Sequence, residues 1–347
     1  LFAMDVIHGY RTILPVPLAL AASFDVEAAE KAARIAAEEA WAAGLHWTFT
    51  PMVDIARDPR WGRIVEGAGE DPYLGSRMAE AQVRGFEGDD LSRGIRLMAC
   101  VKHFAGYGAA EGGRDYDAAE MSARTLEEVY LPPFHAGVQA RAGSFMTAFN
   151  TLDGVPMTAN AAKVRGILRD RWGYEGLVVS DWNAIPELVN HGIAATPAEA
   201  AVLALRAGID MDMASGTYAI GLKPAVEADA GLLPLLDEAG GRVLAAKARA
   251  MLHGRLAATR EDVVALAAHH LDELRTYPDH STGTRLLAEH LGVLRAMLCV
   301  FGALAIGLIA MQAQFVRFDL TADGTMVPGT PAQIGSAAAN KLINLLM

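Results

Sequence analysis

Short apolar runs alternate with long alanine-rich amphipathic stretches from the first residue to about residue 215, and this alternation restricts the chain more than any other feature. Such a rhythm is the signature of βα units, in which parallel strands are joined by crossover helices. It predicts strands near Leu1–Val6, Trp47–Val53, Leu97–Phe104, Ser144–Asn150, Gly176–Trp182 and Gly208–Met213. Helical patterns fill the gaps at Val26–Ala43, Pro72–Gly85, Thr125–Ala142, Ala162–Trp172, Ala184–Val189 and Pro197–Ala207. Asp71-Pro72 and Thr196-Pro197 are start signals, because proline fits the first helical turn behind a capping side chain. The fold class read from this is α/β, a (β/α)8 barrel of the TIM type with six strands visible.

The character changes after about Ser215. Leu232–Leu252 reads as one helix despite Gly240-Gly241, followed by helical text at Glu261–Arg275 and Ser281–Arg295. An uncharged run from Ala296 to Met311 comes next. At 16 residues it falls short of the roughly 20 that span a bilayer, which favours a buried or interfacial helix over a membrane anchor. The tail, with Thr321-Ala-Asp-Gly-Thr325 and Pro328-Gly-Thr-Pro331, is rich in turn residues. The expected organisation is a barrel domain over 1–217, a helical continuation over 218–252 and an unassigned helical region over 253–347.

Composition excludes some functions. A net charge of −11 without a basic run argues against a nucleic-acid surface, whose affinity rests on neutralising phosphates. Cys100 and Cys299 are the two cysteines, too few for a disulfide framework or a thiolate metal site. No His-Glu-x-x-His pattern occurs, so neither a metal nor a cofactor is expected. Gly106-Tyr-Gly108-Ala-Ala-Glu-Gly112 has one residue too many to be a dinucleotide fingerprint. The text before Asp5 has no signal-peptide pattern.

Each expected strand ends in polar groups: Asp5 with His8, Asp54 with Arg57 and Asp58, Lys102 with His103, Asn150, Asp181 with Trp182, and Asp210 with Asp212. In a parallel barrel these ends converge on one face. A carboxylate surrounded by an arginine, a lysine, a histidine and an aromatic ring suits a polyhydroxylated small molecule, since charged groups bond vicinal hydroxyls and an indole packs on the C–H face of a sugar. Each group also has a structural reading. Asp181 sits where a helix cap would, Lys102-His103 could be a buried pair bonded to carbonyls, Arg60 and Arg63 could pair with Glu66, Glu70 or Asp71, and one of Asp210 and Asp212 is expected to be structural.

Seven ordered motifs carry a resemblance: Phe2-Ala-Met-Asp-Val-Ile-His-Gly9, Phe49-Thr-Pro-Met-Val-Asp54, Arg57-Asp-Pro-Arg-Trp-Gly-Arg63, Gly69-Glu-Asp-Pro-Tyr-Leu-Gly75, Lys102-His-Phe104, Met146-Thr-Ala-Phe-Asn150 and Val179-Ser-Asp-Trp182. Together they resemble the N-terminal barrel domain of glycoside hydrolase family 3, most closely the bacterial periplasmic-type β-glucosidases. The resemblance implies a retaining, exo-acting β-glycosidase with Asp181 as nucleophile. It further implies that Asp5, Arg57, Lys102 and His103 hold the terminal sugar, that Met146 lines the pocket, and that Trp182 shapes the aglycone side. Arg57 and Lys102 are expected to depress the pKa of Asp181. In two-domain relatives the acid/base glutamate comes from a following sandwich domain, for which 253–347 offers no matching text. In single-domain relatives it is an Asp-His pair on the loop after Lys-His-Phe, and Gly106–Tyr116 has no histidine. The family barrel also begins upstream of Leu1. These departures leave the acid unassigned and keep a second expectation open, a barrel fragment that binds sugar or a partner without turnover, as a homo-oligomer or with a partner chain supplying missing parts. A periplasmic or secreted location is implied by resemblance.

Overall fold

A computed structural model describes residues 1–89, 91, 96–252, 318–320 and 326–328. The chain divides into two compact units, Leu1–Ala257 and Ala258–Met347.

In the first unit the strands are β1 (Ala3–Met4), β2 (Trp47–Thr48), β3 (Cys100–Phe104), β4 (Ser144–Thr147), a small hairpin of β5 (Thr151–Leu152) and β6 (Val155–Pro156), and β7 (Leu177–Val179). The parallel strands are neighbours in chain order. Ala3 pairs with Trp47, isolated bridges join Trp47 to Met98 and Met52 to Lys102, Cys100 pairs with Ser144, and Ser144 pairs with Leu177. Sequential parallel order with a helix after each strand is the connectivity of a barrel wall.

The helices are α1 (Pro17–Ala21), α2 (Val26–Ala42), α3 (Pro72–Glu87), α4 (Ala123–Thr125), α5 (Pro132–Gln139), α6 (Ala161–Lys163), α7 (Ala184–Asn190), α8 (Pro197–Ala207), α9 (Thr217–Ala228) and α10 (Leu233–Lys247). The Asp71 and Thr196 side chains cap α3 and α8 ahead of their prolines. An alanine stripe of α2, including Ala29, Ala33 and Ala36, is buried where α3 crosses it. Gly85 is required at that crossing, since a Cβ there would lie 2.4 Å from Glu30 O. The predicted Thr125–Ala142 and Ala162–Trp172 helices are interrupted: wider π-type turns occupy Leu126–Tyr130 and Val164–Arg171. The predicted Leu232–Leu252 helix likewise runs as α10 and passes into wider turns at Ala248–Leu252.

The strand predicted at Gly208–Met213 is not a strand. Met211 makes a single bridge to Val179, and the Asp210 carboxylate accepts the Val178 N–H at 2.8 Å, replacing a ladder bond with a side-chain bond. The other strands are shorter than predicted.

Within the strands lies a core of Trp47, Met98, Cys100, Met146, Leu177 and Val179, joined by Val243 and Ala246 of α10. In the second unit, β8 (Phe318–Leu320) pairs antiparallel with β9 (Met326–Pro328), flanking the predicted turn text 321–325. The predicted helices at Glu261–Arg275 and Ser281–Arg295, and the apolar run Ala296–Met311, lie outside the described residues. Among the described residues no helix is long and apolar enough to cross a membrane.

Candidate active site

The carboxyl ends of β2, β3 and β7 bring Asp54, Lys102, His103 and Asp181 together. Asp181 is not a helix cap: α7 starts after Asn183, no side chain caps it, and the Asp181 Oδ1 instead accepts its neighbour's N–H, from Trp182, at 2.6 Å. Ser180 steadies this turn, with its hydroxyl donating to Asp181 O and accepting the Met213 N–H. The other carboxylate oxygen, Oδ2, is buried without a hydrogen bond and lies 3.5 Å from His103 Nε2.

His103 is held from behind. Its backbone N–H and its ring Nδ1 both face Asp54 Oδ2, at 2.9 and 2.8 Å. An oxygen that already accepts the backbone N–H acts as acceptor for the ring as well, so the proton sits on Nδ1 and Nε2 presents a lone pair. Arg63 Nη2 stands 3.3 Å from that lone pair while the same guanidinium grips Glu66 through Nε at 2.8 Å. Burial, reinforced by the charges of Arg63 and Lys102, pushes the imidazole well below its usual pKa and keeps it neutral. Tyr107 packs edge-on against the ring at 5.2 Å. Gly108 beside it is dictated by close approach, because a Cβ would lie 2.2 Å from Ile55 O.

Lys102 reaches to the end of β1, its Nζ 2.7 Å from Asp5 Oδ1, with the lysine buried and the aspartate exposed. Lys102 and Arg63 lower the pKa of Asp181 and Asp5 raises it, but burial is the largest influence and carries it up to about 6. This corrects the expectation of a depressed pKa: the cost of removing a carboxylate from water exceeds what the cations and one backbone N–H return. Burial likewise lifts Asp54 to about 7.

Other predicted groups lie elsewhere. Arg57 is exposed and lines an open cavity of about 720 Å³ with Asp58, Glu120, Met121 and Tyr130. The guanidinium beside His103 is that of Arg63, which sequence reasoning had assigned only to an ion pair. Arg60 pairs with Asp58 rather than a glutamate. Met146 is buried in the barrel core, and Trp182 is 63% exposed directly after Asp181. Asn150 ties backbone, donating to Ala105 O and Thr151 O. Asp210 and Asp212 are both structural: the first is clamped by Arg169, and the second accepts from Ser215 and from the Tyr218 N–H at the start of α9. Among the described residues no group of three His, Cys, Asp or Glu side chains could hold a metal ion.

Chemically, the site offers a buried carboxylate oxygen 3.5 Å from a neutral imidazole and within the electrostatic influence of Lys102 and Arg63. Residues 1–246 match the sequence profile described as the glycosyl hydrolase family 3 N terminal domain. The periplasmic beta-glucosidase of Salmonella typhimurium is 45% identical over 246 residues, which are 71% of this chain and 32% of that protein. A putative beta-xylosidase of Formosa agariphila is 39% identical over 236 residues, 67% of this chain and 31% of that protein. The crystal structure of the beta-glucosidase from Listeria innocua superposes with a TM-score of 0.72 at 45% identity, over 74% of this chain and 36% of that one. The same enzyme has been solved with glucose, at a TM-score of 0.71 and 42% identity over 78% of this chain and 39% of that one. The chain thus spans about a third of the length of these relatives. With the profile covering most of it, the chain belongs to glycosyl hydrolase family 3 and carries the TIM-barrel-like N-terminal domain of that family.

Proposed function

We propose that the chain is the catalytic barrel of a retaining, exo-acting β-glycosidase that removes terminal β-linked glucose, with Asp181 as nucleophile. One observation carries the reading: Asp181 Oδ2 is buried, unbonded and aimed at the cluster of His103, Arg63 and Lys102. A carboxylate oxygen with no donor is poised to bond carbon rather than hydrogen. In the first step it attacks the anomeric carbon, the bond to the leaving oxygen breaks, and a glycosyl ester forms on Asp181; water then cleaves that ester. Asp5, Arg57, Lys102 and His103 hold the hydroxyls of the terminal sugar, Met146 lines the pocket, and Trp182 shapes the aglycone side. The leaving oxygen takes its proton from a carboxylic acid outside this cluster. Residues 1–217 form the barrel and 218–252 its helical continuation.

Glucose is the favoured sugar because the similar beta-glucosidase from Listeria innocua has been solved in complexes with glucose, gluconolactone and laminaribiose. The test is hydrolysis of 4-nitrophenyl β-D-glucoside by the chain and by Asp181→Ala. An activated leaving group needs little protonation, so a burst from the chain that Asp181→Ala lacks is the expected result. Equal rates would overturn it.

A second reading is a barrel that binds sugar without turnover. Calorimetric binding of gluconolactone with no hydrolysis of any β-glucoside would establish that reading instead.

A further inference from the structure

Arg63 is held by its own turn only locally. Its guanidinium grips Glu66 at 2.8 and 3.1 Å, but both residues belong to the single turn Gly62–Glu66 and both are about a quarter exposed. An ion pair that close to water is weak, and two partners on one turn move together. Something outside the turn has to fix the guanidinium relative to β3, where His103 stands.

That outside hold is Tyr107, in the loop after β3 and wholly enclosed. The guanidinium carbon of Arg63 lies over its ring, 5.6 Å from the centroid, within the range at which the negative face of an aromatic ring attracts a cation. The same ring packs edge-on against His103 at 5.2 Å, while Trp61 and Phe149 pack on it at 5.3 and 6.0 Å. Its hydroxyl is buried without a hydrogen bond, so what this residue contributes is the ring. One side chain therefore meets both members of the contact between Arg63 Nη2 and His103 Nε2, which are 3.3 Å apart, and His103 Nε2 is in turn 3.5 Å from Asp181 Oδ2. Packing alone asks only for an apolar neighbour; a cation over the face asks for an aromatic one.

We propose that Tyr107 is a positioning residue for Asp181, its ring seating the Arg63 guanidinium against His103 so that the cation stays beside the carboxylate. The proposal deepens the glycosidase reading above and rests on it for the purpose that the positioned carboxylate serves. Asp181 is also faced by Lys102 and the neutral His103 of β3 and by Asp5, while Glu66 and Asp54 hold Arg63 and His103. Lys102 has its own hold, from Asp5 at 2.7 Å, so a change at Tyr107 acts through Arg63.

The experiment follows the Asp181 carboxyl directly, by its carbon-13 resonance in the full chain labelled at aspartate, assigned by its loss in Asp181→Asn. The parent is compared with Tyr107→Phe, Tyr107→Leu and a chain carrying 3,4,5-trifluorophenylalanine in place of Tyr107. Tyr107→Phe should titrate with the parent. Tyr107→Leu should titrate about one pH unit higher, as a carboxylate does on losing a nearby cation, and the fluorinated ring, whose face attracts a cation less, should move it the same way. The acid limb of activity on 4-nitrophenyl β-D-glucoside should move with the titration. Because the fluorinated ring keeps its shape, it tests the seat even where Tyr107→Leu fails to fold. A titration unchanged in the fluorinated chain, or shifted equally in Tyr107→Phe, would overturn the proposal. A parent without glycosidase activity would overturn the glycosidase reading instead, and the titration would still decide whether Tyr107 seats Arg63.

Discussion

His103 turns a lone pair, not an N–H, toward Asp181: its Nε2 lies 3.5 Å from Oδ2, and its Nδ1 proton is committed to Asp54. The free oxygen of Asp181 stays unbonded because Asp54 fixes the tautomer. Asp54→Ala releases it, and the alternative tautomer places an N–H against Asp181, lowering the carboxyl's pKa. The expected outcome is an acid limb of kcat/KM shifted to lower pH together with a roughly 10²-fold loss in kcat/KM from the freed ring. Nitrogen-15 chemical shifts of the imidazole report the tautomer independently of turnover; a ring still protonated on Nδ1 would refute the argument.

In the unsubstituted protein the acid limb follows from Asp181 itself. As the proposed nucleophile Asp181 must be ionised, and burial holds its pKa at about 6. Activity on 4-nitrophenyl β-D-glucoside should therefore fall as pH drops through about 6, not through the ordinary aspartate range near 4.

The same shift has a thermodynamic face. Below pH 4 Asp181 is protonated in folded and unfolded chains alike. Between about 4 and 6 the folded state binds the extra proton, so stability declines as pH rises, and the full penalty is present above about 6. Asp181→Asn escapes it. The variant should be inactive yet more stable than the parent at pH 7, by an amount on the order of 3 kcal/mol, with the advantage gone at pH 4. Thermal melts at the two pH values decide it.

The sequence exposed the barrel wall and the strand-end groups for a physical reason. Strands buried on both faces read as apolar runs, and a polar residue at the end of such a run stands out, as Asp181 does after Leu177–Val179. Arg63 was read only as an ion-pair partner, because its contact with Glu66 is local and its contact with His103 spans 40 residues. Asp54 was visible as a strand-end carboxylate, but its role depends on the orientation of a ring 49 residues away. The Gly208–Met213 strand was misread because its alternation is the same whether the Val178 N–H is met by a backbone carbonyl or by the Asp210 side chain.

Glu87 shows the same blind spot at the opposite ends of the strands. It closes α3 looking like a solvent-facing residue, yet it is buried, and its Oε1 accepts the Ala99 N–H at 2.7 Å and the Gly143 N–H at 2.8 Å, just before β3 and β4. Burial raises its pKa to about 7. Glu87→Gln keeps an acceptor in place and should be close to neutral at pH 7. Glu87→Ala orphans two buried donors and should cost at least about 2 kcal/mol in urea unfolding.

The strand that delivers Asp181 depends on a second buried ion pair. Arg169 Nη2 lies 2.5 Å from Asp210 Oδ2, with both side chains almost wholly enclosed, and Arg169 also donates to Tyr174 O and Gly176 O just ahead of β7. Asp210 spends the same oxygen on the Val178 N–H inside β7, and Arg242 of α10 meets its other oxygen at 3.2 Å. Removing Arg169 leaves the buried Asp210 carboxylate with Arg242 alone as its cation, so Arg169→Met should cost about 3 kcal/mol, the low end for a broken buried pair. Arg169→Met with Asp210→Asn keeps an acceptor for Val178 without the under-compensated charge, and should recover part of that loss as a favourable coupling in a double-mutant cycle. Because Asp181 follows β7 by two residues, the single variant should also lower kcat, while glucose affinity, proposed to rest on Lys102 and His103 of β3, changes little. Urea denaturation and steady-state kinetics on the same four proteins test both halves. Additive free energies, or a kcat unaltered in Arg169→Met, would mean that the clamp and the nucleophile are independent.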